Sequence, residues 1–251
     1  MMITDEYYIS DDGIGLHIKV DRPEKKKRCP LVLMFHGLTG HMEEEHITGI
    51  CRQINEKLGY ATMRAELYGH GKSGGRFEDH TLLKWIDNGL KVIEHARSLD
   101  YVSDLYITGH SQGGLLTIIL AGMKADLFKA VMPLSPAINI VEGAKRGDLL
   151  GVSFDPEHLP EKIFMGEYTL NGDYLPAAQL LHPEEMMRKY HGPVLIVHGD
   201  GDMAVPIAYS YEAQKGYDNA KLLVIHGADH GYTGHLNEVY EGIISFLKEI
   251  A

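Results

Sequence analysis

Four short runs, at 31–35, 105–108, 130–134 and 194–197, are almost continuously apolar and are bounded by turn-forming residues. A strand with one wet face alternates polar and apolar residues. A run that is apolar at every position needs cover on both faces, as in a parallel sheet between two layers of helices. Helical periodicity fills the gaps, over 43–58, 81–99, 112–123, 207–216 and 235–249. Asp79 and Thr81 are candidate N-caps for the second of these helices, and Gly59 is a stop for the first. Further strands are expected in LHIKV, ATMRAEL and LLVIHG, and YYISDDGIGLHIKV reads as a hairpin turning at DDG. Strands alternating with helices specify an α/β class protein with a doubly wound, mostly parallel sheet.

The alternation breaks once. Residues 135–192 carry Gly, Pro, aromatic and charged residues without a period, and the stretch is too long for an ordinary connection. The expected organisation is therefore a core formed by 1–134 and 193–251 with an inserted lid at 135–192.

Gly109-His110-Ser111-Gln112-Gly113-Gly114 follows the strand LYIT and opens an apolar helix. G-x-S-x-G between a strand and a helix is the pattern of a nucleophile elbow. The serine sits in a strained conformation, and the turn is too crowded for side chains at 109 and 113. The same turn aims the Gln112 N–H, at a helix N-terminus, toward the serine hydroxyl.

A serine nucleophile needs a base and a group to orient the base. The expected chain order for this arrangement is Ser, Asp, His. VLIVHGDGDMAVP offers Asp200 and Asp202 after one strand, and LLVIHGADHGYTGH offers His230 after the next. Both loops fall at C-terminal strand ends, where open α/β sheets bind ligands. His230 is the expected base, with His226 and His235 as rivals. Asp202 is preferred to Asp200, which suits an Asx turn. The loop after LVLMF, His36-Gly37-Leu38, is expected to supply a second oxyanion donor, the Leu38 N–H.

Other signals are weaker. Gly69-His70-Gly71-Lys72-Ser73-Gly74 satisfies G-x-G-x-x-G but lacks the immediate helix start that a pyrophosphate needs. A Walker loop fails because Glu66 stands where glycine is required. HMEEEH at 41–46 lacks metal-ligand spacing, so no cofactor or metal is expected. Lys plus Arg is 24 against 35 Asp plus Glu, a net charge of −11. That balance argues against nucleic acid or an anionic membrane as partner. Cys29 and Cys51 form no CxxC pair, and the N-terminus MMITDEYYIS lacks the basic and apolar blocks of a signal peptide. The expectation is a cytoplasmic protein acting on a small-molecule ester, with a second copy of itself as the only macromolecular partner left open.

The motifs HG at 36–37, GHGKS at 69–73, GHSQGG at 109–114, HGxxD at 198–202 and GADH at 227–230 occur together in order. In this set the chain resembles the α/β-hydrolase superfamily, and it is most similar to the small bacterial cinnamoyl and feruloyl esterases. The similarity extends to SPA at 135–137, GVSFDPEHLP at 151–160 and LNGDYL at 170–175. The resemblance implies hydrolysis of hydroxycinnamate esters by Ser111, Asp202 and His230, with Leu38 and Gln112 as oxyanion donors. It also implies that Tyr174 contacts the phenolic end of the acyl group, with Glu142 as the lid acid that could assist it. The aromatic residues Phe154, Phe164 and Tyr168 are expected in the same lid, the two phenylalanines as its small core. A monoacylglycerol-lipase-like enzyme or general carboxylesterase is the alternative, and a non-catalytic binding protein a distant third.

Overall fold

A computed structural model describes residues 1–250. The chain opens with a hairpin of β1 (Met2–Asp11) and β2 (Ile14–Pro23), turned by Asp12 and Gly13, both at positive φ (42° and 81°). Two such residues make the turn whose twist matches that of the strands. Then follow β3 (Cys29–Phe35), α1 (Glu45–Leu58), β4 (Ala61–Ala65), α2 (Leu82–Ser98), β5 (Val102–His110), α3 (Gln112–Met123) and β6 (Phe128–Leu134). After residues 135–192 come β11 (Val194–Gly199), α7 (Ala208–Gly216), β12 (Ala220–Ile225) and α8 (Leu236–Glu249).

The eight-stranded sheet has the order β1-β2-β4-β3-β5-β6-β11-β12. β4 pairs antiparallel with β2, and every pairing from β4 to β12 is parallel. β3 shows why its run is apolar throughout. Leu31, Leu33 and Phe35 join the core cluster that includes Trp85 and Leu116, whereas Val32 and Met34 join the opposite cluster with Ile47 and Val239. Both faces are dry, so period-two alternation vanishes.

Helix ends follow local chemistry. Thr81 caps α2, its hydroxyl accepting the Lys84 N–H at 3.2 Å. The other candidate, Asp79, lies in a 3₁₀ turn (Phe77–Asp79) and accepts instead from Asn171 Nδ2 at 2.5 Å. Gly59 closes α1 at φ 62°, in the left-handed region.

Between β6 and β11 lie α4 (Asn139–Arg146), a ribbon of β7 (Asp148–Leu149) and β8 (Val152–Ser153), and a hairpin of β9 (Lys162–Met165) and β10 (Tyr168–Asn171). Two short helices follow, α5 (Tyr174–Gln179) and α6 (Pro183–Lys189), of which α6 packs along α3. Phe164 is 66% exposed, so it is not part of a core here, while Phe154 is partly buried against the main one. Among the described residues no helix is long and apolar enough to cross a membrane.

Candidate active site

Ser111 stands between β5 and α3 at φ 58° and ψ −119°. L-residues rarely adopt this conformation, and three hydrogen bonds hold it. The Ser111 N–H donates to Leu134 O at 2.9 Å, and its carbonyl accepts from Leu115 and Ala137, both at 3.0 Å. A side chain at Gly113 would collide with the backbone carbonyls of Phe35 and His36, and one at Gly109 with Gly113 O. The elbow is therefore wedged between β3 and α3. This is the physical reason for glycine on either side of the serine.

The loop after β3 crosses directly over the serine: a Cβ at Gly37 would lie 3.2 Å from Ser111 Cβ. Two buried histidines fix its peptides. His36 Nδ1–H donates to Gly37 O at 2.8 Å, and its Nε2 accepts the Leu67 N–H at 3.2 Å. His70 Nε2–H donates to Leu38 O, with Nδ1 beside Tyr68 O at 2.9 Å. The carbonyls on both sides of the Leu38 N–H are thus tethered. Burial, helped by the neighbouring His70, pushes the His36 pKa down to about 3, so the ring stays neutral with one donor and one acceptor nitrogen.

This assigns a structural task to the Gly69–Gly74 motif. Its loop carries His70 to Leu38, and a carboxylate rather than an open cradle faces Gly71. The Glu66 carboxylate lies where a Gly71 side chain would be and accepts the Lys72 N–H at 2.6 Å.

The loop after β12 brings His230 to Asp202, with Nδ1–H donating to Oδ2 at 2.6 Å. The other Asp202 oxygen accepts from the N–H groups of Ala204 (2.9 Å) and Val205 (2.8 Å). His198 Nε2 lies 3.2 Å from Oδ2. Burial opposes charge on Asp202, but hydrogen bonds from His198, His230 and Val205 outweigh it and hold the carboxyl well below the ordinary range. Asp200 goes elsewhere: its carboxylate pairs with His226 Nδ1 (2.8 Å) and the Gly227 N–H (2.6 Å). His235 stands at the start of α8, its ring paired with Glu238 Oε1 at 2.8 Å.

His110 holds His230 from below. Its Nε2–H donates to His230 O at 2.7 Å, and burial first, then His46 and His230, push its pKa far down. Asp229 accepts the N–H groups of Gly231 and Thr233, and buried Tyr232 anchors the same loop through hydrogen bonds with Val197 O and Ser135 Oγ.

Ser111, His230 and Leu38 line one cavity of about 210 Å³ whose other walls include Ala137, Ile140 and Leu150. Gln112 is buried and directly follows the serine. Tyr174 does not line this cavity. It is fully buried at the start of α5, and its hydroxyl donates to Gln112 Oε1 at 2.6 Å. The NGD sequence places the residue at a helix start rather than on an open turn, so its ring faces inward against His80, 5.3 Å between centroids. Glu142 is exposed on α4 and is not its partner. Sequence reasoning also missed His36, His70, His110 and His198. Each flanks a glycine motif, but their hydrogen-bond partners lie far along the chain or on main-chain atoms.

A half-buried serine on a strand-to-helix elbow, over a mostly parallel sheet, defines the class: a serine hydrolase of α/β-hydrolase fold. The chain belongs to the prolyl oligopeptidase family, which it matches over residues 51–251. Among solved structures it is 47% identical to Est1E from Butyrivibrio proteoclasticus, in a complex with ferulic acid, covering 97% of this chain and 98% of that one with a TM-score of 0.95. Alpha/beta hydrolase domain-containing protein 10 from mouse shares the fold at 16% identity, covering 98% and 100% of the two chains, TM-score 0.77. The mitochondrial palmitoyl-protein thioesterase ABHD10 of Homo sapiens is 24% identical over 72% of this chain. The chain spans 60% of that relative's length.

Proposed function

We propose that the protein is a serine esterase that cleaves hydroxycinnamate esters, feruloyl esters foremost, through an acyl-enzyme. His230 Nε2 takes the Ser111 proton as Oγ attacks the ester carbonyl. Asp202, bonded to Nδ1–H, holds the imidazole in the tautomer that leaves Nε2 free and stabilises the imidazolium that forms. The N–H groups of Leu38 and Gln112 bind the tetrahedral oxyanion, each worth roughly 10²–10³ in rate. The intermediate collapses, the alcohol leaves with the proton from His230, and water attacks the acyl-enzyme by the same route in reverse. The chemistry uses no cofactor.

The observation that carries the substrate class is the near full-length likeness to Est1E with ferulic acid bound. The cleft supports it. A cavity of about 210 Å³ with Ala137, Ile140 and Leu150 in its wall suits a compact acyl group better than a long chain. In this reading the lid lies within residues 135–192, with α4 and the β7–β8 ribbon roofing the cleft, while α6 at its end packs on α3 of the core. The buried free thiols Cys29 and Cys51 support a reducing, cytoplasmic setting, and the ester is the partner that the site implies.

The test is an activity profile on methyl ferulate, p-nitrophenyl acetate and a long-chain monoglyceride. Methyl ferulate is expected to give the highest kcat/KM among unactivated esters. A preference for the monoglyceride would move the protein to the lipase-like alternative.

A further inference from the structure

Glu44 stands between the oxyanion loop and α1, and its side chain folds back toward the serine. Its Oε2 accepts the His41 N–H at 3.2 Å, and the carboxylate lies so close to Gly40 that a side chain there would overlap it. Glu44 lines the same cavity as Ser111 and His230. Among the described residues lining that cavity there is no lysine or arginine. The histidines do not compensate for the charge: His110 is held neutral by burial, and His230 already serves the ionised Asp202. Burial raises the Glu44 carboxyl above its ordinary pKa, outweighing the His41 N–H and the charges of His41 and His230, as expected for a carboxylate with no lysine or arginine beside it.

A second negative charge at Ser111 therefore meets a carboxylate with no lysine or arginine to offset it, in a cleft partly shielded from water, where like charges repel more strongly than in bulk solvent. Ester hydrolysis creates that charge. A neutral ester and water become a carboxylate, an alcohol and a proton, and the new anion forms beside the serine. We infer that Glu44 is a specificity-determining residue, which selects uncharged esters over anionic ones and weakens binding of the carboxylate product. The inference rests on the Ser111 cavity being the site of ester hydrolysis.

Glu44→Gln keeps the shape and the hydrogen bond to His41 while removing the charge. Two readouts report on it. The first is the ratio of kcat/KM for caffeoyl release from the methyl ester of chlorogenate to that from chlorogenate itself, which share acyl group and alcohol ring and differ in one carboxyl, methylated in the first and ionised in the second. The wild-type preference for the neutral ester should shrink about tenfold in the variant. The second is the affinity for ferulate by calorimetry in a Ser111→Ala background, where Glu44→Gln should bind about tenfold tighter. Glu44→Asp, which keeps the charge, should leave the ratio on the wild-type side. If Glu44→Gln does not fold, ferulate titrations of the Ser111→Ala protein at low and high salt replace it, because screening should tighten binding. Ratio and affinity within twofold of the parent, or ferulate binding insensitive to salt in that case, overturn the role of Glu44. Failure of the wild-type protein to hydrolyse either methyl ferulate or the methyl ester of chlorogenate overturns the esterase reading instead.

Discussion

Asp202 and Asp200 are two residues apart in one loop, yet their side chains meet different partners. Asp202 is buried against His230 and two backbone N–H groups, while Asp200 caps the His226 turn at the surface. Asp202→Asn is expected to lower kcat on p-nitrophenyl acetate by about 10⁴, because the amide favours the wrong imidazole tautomer. Asp200→Asn should stay within a few-fold of wild type, and the reverse pattern would exchange their roles. Tyr174 calls for a different expectation from the one its motif suggests. Its hydroxyl supports Gln112, the proposed oxyanion donor for any ester, so Tyr174→Phe should reduce turnover of methyl ferulate and p-nitrophenyl acetate by similar factors. It should also cost about 1–3 kcal/mol of stability, since Gln112 Oε1 is left unpaired in the core. A loss confined to methyl ferulate would return Tyr174 to the cleft. Ser111 was legible because an elbow is written in six consecutive residues. The tethers on Leu38 and His230 were not, because His36, His70 and His110 bond to backbone carbonyls, which carry no residue-specific signal.

At the scale of elements, the strand–elbow–helix unit is the most constrained part of the chain. α3 begins so close to the end of β3 that Gly113 has the Phe35 and His36 carbonyls where a methyl group would go. Neither carbonyl can yield cheaply, since both belong to the strand end and loop that cross over Ser111. Gly113→Ala should therefore cost roughly 1–3 kcal/mol by overpacking. It should lower kcat by more than the fall in Tm implies, because relief of the clash shifts the Ser111 hydroxyl relative to His230. Calorimetry and kcat on one preparation check this, and a variant with a lowered Tm but unchanged kcat would refute it. The central strands were readable because burial on both faces leaves continuous apolar runs, and the long helices because of their caps and period. The segment 135–192 was readable only as an interruption. Its ribbons of two to four residues are too short to show a period, and Phe164 looks like core in sequence yet lies on the surface.

Across the whole molecule, the buried histidines make stability depend on pH. Burial holds His36 and His80 down to about 3, His46 to about 4 and His110 well below the ordinary value. Well above about pH 6.5 all four are neutral in both folded and unfolded chains, and they contribute no pH dependence. As pH falls through that value the unfolded chain takes up protons that the fold refuses, so the unfolded state gains and stability is lost down to the folded values near 3 to 4. Each group contributes up to about 1.4 kcal/mol per pH unit. The depressed pKa of Asp202 adds its own loss only below the ordinary carboxylate range. Tm should therefore fall steeply between about pH 6.5 and 4.5, before most carboxylates titrate. His46 isolates one contribution, because its Nε2 is buried without a partner and its ring packs on His110 at 4.4 Å. His46→Leu should flatten the decline by about one proton's worth, raising Tm at about pH 5 by more than at pH 7.5, where 1 kcal/mol is worth roughly 2–4 °C. A Tm that is level down to pH 5, or a decline unchanged in His46→Leu, would mean that these rings accept protons in the folded state.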